Sequence, residues 1–361
     1  MGQLSELFRT FGPEYLATYG GDMPAVQRKA LQALMACRTN ACGVTGYACS
    51  QCGETHRICC SCGNRHCPQC QHHKGRAWLE QRLTRALPGH HFLLTFTVPE
   101  ALRPFLRSHQ RASYAALFKA SSEAMKTLAR DPRHIGGDLP GFFGVLHTWG
   151  RQLTYHPHIH YVVPGGALST QDETWHPSRV DFYLPVHALS QIYRAKFRDE
   201  MHRRGLFDAI PQDVWTIDWN VNCQAVGASE ASLKYLAPYV FRVAISESRI
   251  VRVADRTVWF HYRKPGSQRL RTLALDVLEF IRRFLQHVLP AGFMKVRYYG
   301  CMHPNAAISQ ERLAALIELA SGFALTPVPA VDPQPPPPLV CPQCGGPLIY
   351  RWTLRPCPRS P

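Results

Sequence analysis

His158 and His160 flank Ile159 in the run Tyr155-His156-Pro157-His158-Ile159-His160-Tyr161-Val162-Val163. The β-branched and aromatic residues around them favour a strand. On a strand, side chains at i and i+2 leave by the same face. Both imidazoles then point at one spot while Ile159 turns to the core, and two convergent neutral imidazoles begin a divalent-metal site. His156 on the same strand, or His147 on the preceding apolar run, offers a third ligand. About 75 residues further on stand Tyr235 and Tyr239. Residues at i and i+4 share one helix face, and by itself that spacing belongs to core packing. Beside a metal the pair gains another meaning. A phenol with an ordinary pKa of about 10 is a weak nucleophile. A nearby cation that neutralises a phosphodiester and orients its scissile oxygen makes phenol attack feasible.

A second set of chemistry-bearing residues precedes these. Nine of the 14 cysteines fall between Cys37 and Cys70. Cys49-Ser50-Gln51-Cys52 and Cys67-Pro68-Gln69-Cys70 are two knuckles separated by 14 residues. Thiolates at i and i+3 reach one ion from a tight turn, and two such turns close a tetrahedral zinc site. The spacing predicts Cys49, Cys52, Cys67 and Cys70 around one zinc. Cys37, Cys42, Cys62 and His66 are expected to close a second, with His56, Cys59 and Cys60 as competing ligands. A module this small cannot bury enough apolar surface to fold alone, so metal ligation supplies the missing free energy. Arg57, Arg65, His72, His73, Lys74, Arg76, Arg82 and Arg85 surround or follow the knuckles, and phosphate contact is their expected use. Near the carboxy terminus, Cys341-Pro342-Gln343-Cys344 looks like half of a zinc ribbon. Only Cys357 follows it, so four local ligands are lacking.

The net charge of +16, from 41 Lys plus Arg against 25 Asp plus Glu, favours a polyanionic partner. No run of 18 apolar residues occurs, which argues against a membrane span. The start lacks a signal-peptide core, and the cysteine pattern is that of zinc ligands in a reducing cytoplasm.

These sites must be positioned by recognisable elements. Residues 4–36 read as helical with a break at Gly20-Gly21, and 77–86 as a short basic helix. Strands are expected at 91–98, 142–149, 156–163, 214–221 and 250–262, the second and third forming an antiparallel pair. Helices are expected at 101–130, 186–204, 273–288 and 310–319. Seven prolines between Pro327 and Pro338 make a stiff linker. The expected organisation is a helical and zinc-binding DNA-contact module at 1–88, a catalytic domain at 89–300, a helical extension at 301–326, and a Pro-rich linker with a cysteine-containing tail at 327–361.

The combination of His158-Ile159-His160 and Tyr235-x-x-x-Tyr239 behind Ser61-Cys62-Gly63-Asn64-Arg65-His66-Cys67-Pro68-Gln69-Cys70 resembles a known family. It looks like the HUH-superfamily rolling-circle transposases of the two-tyrosine bacterial insertion-sequence group. Leu146-His147-Thr148-Trp149-Gly150, Tyr235 to Ser246, and Val296-Arg297-Tyr298-Tyr299-Gly300 extend the likeness. The resemblance implies an α+β fold, with a central antiparallel, RRM-like sheet flanked by helices and an amino-terminal zinc-binding module. It implies Mg2+ or Mn2+ held by His158 and His160, structural Zn2+, and attack by Tyr235 or Tyr239 on single-stranded DNA to leave a 5′-phosphotyrosine. The DNA expected is element ends with hairpins, met in the bacterial cytoplasm at the nucleoid. Pro238 departs from the family, where a basic or small residue often stands between the tyrosines. Proline is tolerated in a first helical turn, so a helix starting near Ala237 would carry Tyr239. Arg242 lies one turn past Tyr239, within reach of phosphate, which leans towards Tyr239 as first nucleophile without deciding the order. A replication initiator or relaxase of the same superfamily, and a non-catalytic zinc-containing DNA-binding regulator, are the alternatives.

Overall fold

Alternating apolar and polar residues organise the chain around one five-stranded antiparallel sheet. The computed structural model describes residues 2–83, 86–228, 230, 233–234, 240, 244–264, 266–322 and 338–356, apart from the side chains of His72, His73, Arg76 and Ala228. In chain order the elements begin with helices α1 (Gln3–Tyr19) and α2 (Ala25–Ala36), strands β1 (Val44–Cys49) and β2 (Thr55–Cys59), and helix α3 (Pro68–Leu83). Strand β3 (His90–Thr97), helices α4 (Arg103–Ser108) and α5 (Gln110–Ala129), and strands β4 (Phe142–Trp149) and β5 (Tyr155–Pro164) follow. Next come the hairpin β6 (Gly166–Ser169) and β7 (Thr174–Pro177), helix α6 (Val186–Arg203) and strand β8 (Val221–Ala228). The remainder is β9 (Ile250–Ala254), β10 (Thr257–Arg263), β11 (Leu270–Asp276), α7 (Val277–Leu285), β12 (Val296–Tyr299), α8 (Gln310–Ser321) and β13 (Leu348–Leu354).

The central sheet has the order β12-β4-β5-β3-β8. Its register places His158 opposite His147 and Thr97, and His160 opposite Val145 and Thr95. Directly opposed residues share a face. One face therefore carries Ile159, Tyr161, Val163, Phe92, Leu94 and Phe96, and it is buried under α5 and α6 in the largest core of the molecule. Tyr161 fixes that packing through a 2.7 Å hydrogen bond with Ser121 of α5. Gly144 on β4 makes room for the Tyr161 ring, since a Cβ there would stand 2.4 Å from Cε1. The other face carries the histidines, Leu93, Phe143, Val145 and Val162. Trp78 and Leu83 of α3 pack on it, together with Leu233 and Val240.

A second core joins parts of the chain that the expected boundary at residue 88 separates. Leu4, Phe8, Leu31 and Leu34 of α1 and α2 pack against Val258 and Phe260 of β10 and Phe280 and Phe284 of α7. Phe8 and Phe284 meet edge to face at 4.9 Å. A small core under α8 holds the β6–β7 hairpin through Trp175, Leu313 and Ile317. At the amino-terminal end, β13 returns to pair with β1, giving the three-stranded sheet β13-β1-β2.

Two expected elements are corrected. The run 214–221 is not a strand: residues Gln212–Trp215 form a 3-10 turn and the strand starts at Val221. Its alternation suits a strand, but Trp215 and Trp219 stack at 5.9 Å, and Trp219 Nε1 donates to the Val214 carbonyl, which bends the chain. The stretch 273–288 opens as the end of β11, because Asp276 accepts from the backbone N–H groups of Leu278 and Glu279 and so starts α7 only at Val277. The basic helix begins well before residue 77, at Pro68, a residue suited to a first helical position. Among the described residues no helix is long and apolar enough to cross a membrane.

Candidate active site and metal clusters

The histidine site is made by two neighbouring strands. His147 of β4 and His158 and His160 of β5 each offer a ring nitrogen, and these three atoms lie within 4.8 Å of one another. Their ring centroids are 4.6 to 5.2 Å apart. The structure thus brings His147 into the group; His156 sits at its margin, 5.0 Å from the His158 ring. Outer contacts orient two of the rings. His158 Nδ1–H donates to the His156 carbonyl at 2.7 Å, which leaves Nε2 as the lone-pair nitrogen. His160 Nδ1 hydrogen-bonds the Thr95 hydroxyl at 2.9 Å, which engages that nitrogen and holds the ring. Such contacts fix tautomer and ring angle in metal-ligating histidines. Burial, and then the neighbouring His160 and His156, hold His158 well below the ordinary imidazole range. Burial holds His160 down to about 4. Both are therefore neutral at physiological pH, the form that binds a divalent ion.

Tyr235, Tyr239 and Arg242 lie outside the described residues, as does the side chain of Arg76. Their described neighbours do not. Leu233 and Val240 are buried on the histidine-bearing face of the sheet. Val240 also lines a cavity of about 410 Å³ beside β4, along with Arg65, Trp78, Arg82, Leu146, Thr148, Trp149, Lys295 and Tyr298. Leu146 and Thr148 are the sequence neighbours of His147, though none of the three site histidines lines the cavity itself. Arg82 lies over the Tyr298 ring at 4.7 Å and Lys295 over Trp149 at 5.0 Å. Arg65 donates to the Phe293 carbonyl at 2.7 Å and so ties the cysteine module to the sheet.

The cysteines form two clusters, but in a different partition from the one expected. Cys37, Cys62, Cys67 and Cys70 come together, with the Cys37–Cys70, Cys62–Cys70 and Cys67–Cys37 sulfurs each 3.6 Å apart. A tetrahedral site with Zn–S of about 2.3 Å has sulfur–sulfur edges of about 3.8 Å. Cys67 stands just before α3 and Cys70 in its first turn, where the positive end of the helix favours thiolates. Hydrogen bonds from Cys62 and then Cys67 hold the Cys37 thiol far below its usual range. The Cys49–Cys52 knuckle does not share this site. It faces Cys341 and Cys344. Cys42 and His66 join neither cluster: Cys42 Sγ donates to the Ala36 carbonyl at 3.1 Å, and His66 Nε2 accepts from Leu289 N–H at 3.1 Å. Spacing alone joins the Cys49–Cys52 and Cys67–Cys70 knuckles, whereas β1 and β2 carry Cys49 away from Cys67.

The chain has matching relatives. A family model described as "Transposase zinc-binding domain" matches residues 7–98, and one described as "Putative transposase" matches residues 141–311. "Putative transposase y4qJ" of Sinorhizobium fredii is 37% identical over 320 residues, covering 82% of this chain and 79% of that protein. "Transposase for insertion sequence element IS801" of Pseudomonas savastanoi pv. phaseolicola is 26% identical over 301 residues, covering 78% of this chain and 71% of its own. No solved structure matches the chain at a significant level. The transposase reading stands over the replication-initiator and regulator alternatives, DNA is the partner, and the cysteine clusters fit a zinc-binding domain. The chain belongs to the rolling-circle transposases of the two-tyrosine bacterial insertion-sequence group, with an amino-terminal zinc-binding domain.

Proposed function

We propose that this transposase nicks and rejoins single-stranded DNA through a 5′-phosphotyrosine formed on Tyr235 or Tyr239, at a divalent-ion site made by His147, His158 and His160. One observation carries the reading. Three histidines converge on the sheet face against which Leu233 and Val240, the described residues bracketing the tyrosines, are packed. A three-imidazole donor set leaves coordination positions for phosphate oxygens and water, and those oxygen ligands are what would suit Mn2+ or Mg2+, since imidazole by itself favours Zn2+ and its neighbours. When bound, such an ion neutralises the phosphodiester and polarises its scissile bond.

The residues of the chain do the rest. His158 and His160, held neutral and oriented from behind, present their Nε2 atoms without rearrangement. A tyrosine oxygen bonds to phosphorus as its proton leaves, and the bond to the 3′-oxygen breaks, freeing a 3′-hydroxyl. One phosphoester replaces another, so no nucleotide hydrolysis is needed. The second tyrosine can accept another strand end by the same exchange. The cavity beside β4 suits a nucleic-acid backbone through the positive charge of Arg65, Arg82 and Lys295, the last two held over the rings of Tyr298 and Trp149. Zinc at the Cys37, Cys62, Cys67 and Cys70 cluster has a structural part, holding the start of α3 in place.

A covalent-adduct assay tests this. With end-labelled single-stranded DNA from an element end and Mg2+ or Mn2+, the wild-type chain should give a complex that survives denaturation. The Tyr235→Phe, Tyr239→Phe double variant should give none. His158→Ala should lower adduct formation by about 10²- to 10³-fold, the several kcal/mol expected of lost charge stabilisation, while DNA binding persists. An adduct that forms undiminished in either variant would sink the proposal.

A further inference from the structure

The carboxy-terminal tail bears a knuckle that the reaction leaves unused and that lies beyond both stretches matched by the family models. Cys49-Ser50-Gln51-Cys52-Gly53 and Cys341-Pro342-Gln343-Cys344-Gly345 share one pattern, Cys-x-Gln-Cys-Gly. They also share one conformation. In each, the glycine N–H donates to the carbonyl of the first cysteine, at 3.1 Å in the first and 2.9 Å in the second. Each glycine has φ +75°, a left-handed turn that glycine adopts without strain. The two turns face each other. Cys49 and Cys344 sulfurs are 3.4 Å apart and Cys52 and Cys341 sulfurs 3.8 Å, so each cysteine of one knuckle meets one of the other. All four sulfurs lie within 4.8 Å. Cys49 and Cys341 are buried. His56 Nε2 stands 3.2 Å from Cys341 Sγ, placed to donate to a thiolate.

Backbone pairing brings them there. β13 runs antiparallel to β1 from Val44↔Leu354 to Cys49↔Leu348, and Ser50 N–H donates to the Pro347 carbonyl at 3.1 Å. Trp352 lies over Gly46, where a Cβ would stand 2.3 Å from the indole.

We infer that Cys49, Cys52, Cys341 and Cys344 bind a zinc ion that closes the two ends of one chain onto each other. The tail is the second half of a zinc ribbon whose first half is on β1. Four thiolates in two facing knuckles are the donor set of a closed structural zinc site, with no position for substrate.

Zinc content of the purified full-length chain tests the assignment. Cys341→Ser, Cys344→Ser should cost one zinc per chain, and Cys49→Ser, Cys52→Ser the same one. The fourfold variant should therefore also lose one, not two. A second measurement does not depend on how the variants fold. A protease site inserted after Val331 should yield, on cleavage, a tail that co-elutes with the body in zinc and separates when a chelator is added. Unchanged zinc in the tail variant, a loss of two ions in the fourfold variant, or a cleaved tail that leaves regardless of metal would overturn the site. A zinc-dependent dimer dissolved by the tail substitutions would place the knuckle on a second copy and equally overturn the intrachain closure.

Discussion

At the scale of the residue, the catalytic proposal turns on the nitrogens not used for binding an ion. Thr95 touches no substrate atom in this reading; it positions His160 through one hydrogen bond of 2.9 Å. Loss of such an outer contact lowers metal affinity or activity by about 10- to 100-fold. Thr95→Val should therefore raise the Mn2+ concentration needed for half-maximal adduct formation, and Thr95→Ser, which keeps the hydroxyl, should restore it. A metal titration that does not shift in the valine variant would remove Thr95 from the site.

At the scale of the element, β5 has two faces with opposed duties. Ile159 is wholly buried among α5 and α6 while its neighbours turn to the site. Ile159→Ala should destabilise the chain by about 2–5 kcal/mol, the cost of a large-to-small change in a packed core, read as a lower denaturant midpoint. Acid should act on other buried imidazoles. Burial pushes His91 on β3 down to about 4 and His287, just past α7, down to about 3, from an ordinary 6.5. Between those values and 6.5 the unfolded chain binds more protons than the folded one. The stability they contribute is present in full above pH 6.5 and is lost as pH falls towards 4 and 3. Urea midpoints measured from neutral pH downward should fall across that window, and His91→Asn should flatten the slope.

At the scale of the whole molecule, several separate cores meet around the sheet, and metal holds the parts that have the least apolar burial. β2 exposes Thr55, Arg57 and Ile58, and β13 exposes Ile349, Tyr350 and Trp352. Structural zinc contributes on the order of 10 kcal/mol per site in small metal-held modules. Chelation should accordingly loosen residues 37–70 and 338–356 first, seen as lost amide-exchange protection there, while β3, β4 and β5 stay protected by the core under α5 and α6. Uniform loss of protection would show that the zinc-bearing parts and the sheet unfold as one.

Much of this was legible along the chain. The period-2 pattern around Ile159 predicts which way the histidines point, because strand geometry is local. The strands at 142–149 and 156–163 and their antiparallel pairing follow for the same reason. The Cys-x-x-Cys spacing identifies turns able to hold metal, since that geometry too lies within four residues. Partner choice is not local. His156 is much nearer to His158 in sequence than His147 is, yet the β4–β5 register puts His147 opposite His158. Cys49 and Cys344 are 295 positions apart, and no spacing rule links them; the pairing of β13 with β1 does. Residue types and strand periodicity fix the chemistry each side chain can perform and the face it occupies on its own strand. The tertiary structure alone decided which of those side chains meet, because that depends on sheet order and register, set by burial summed over the whole fold.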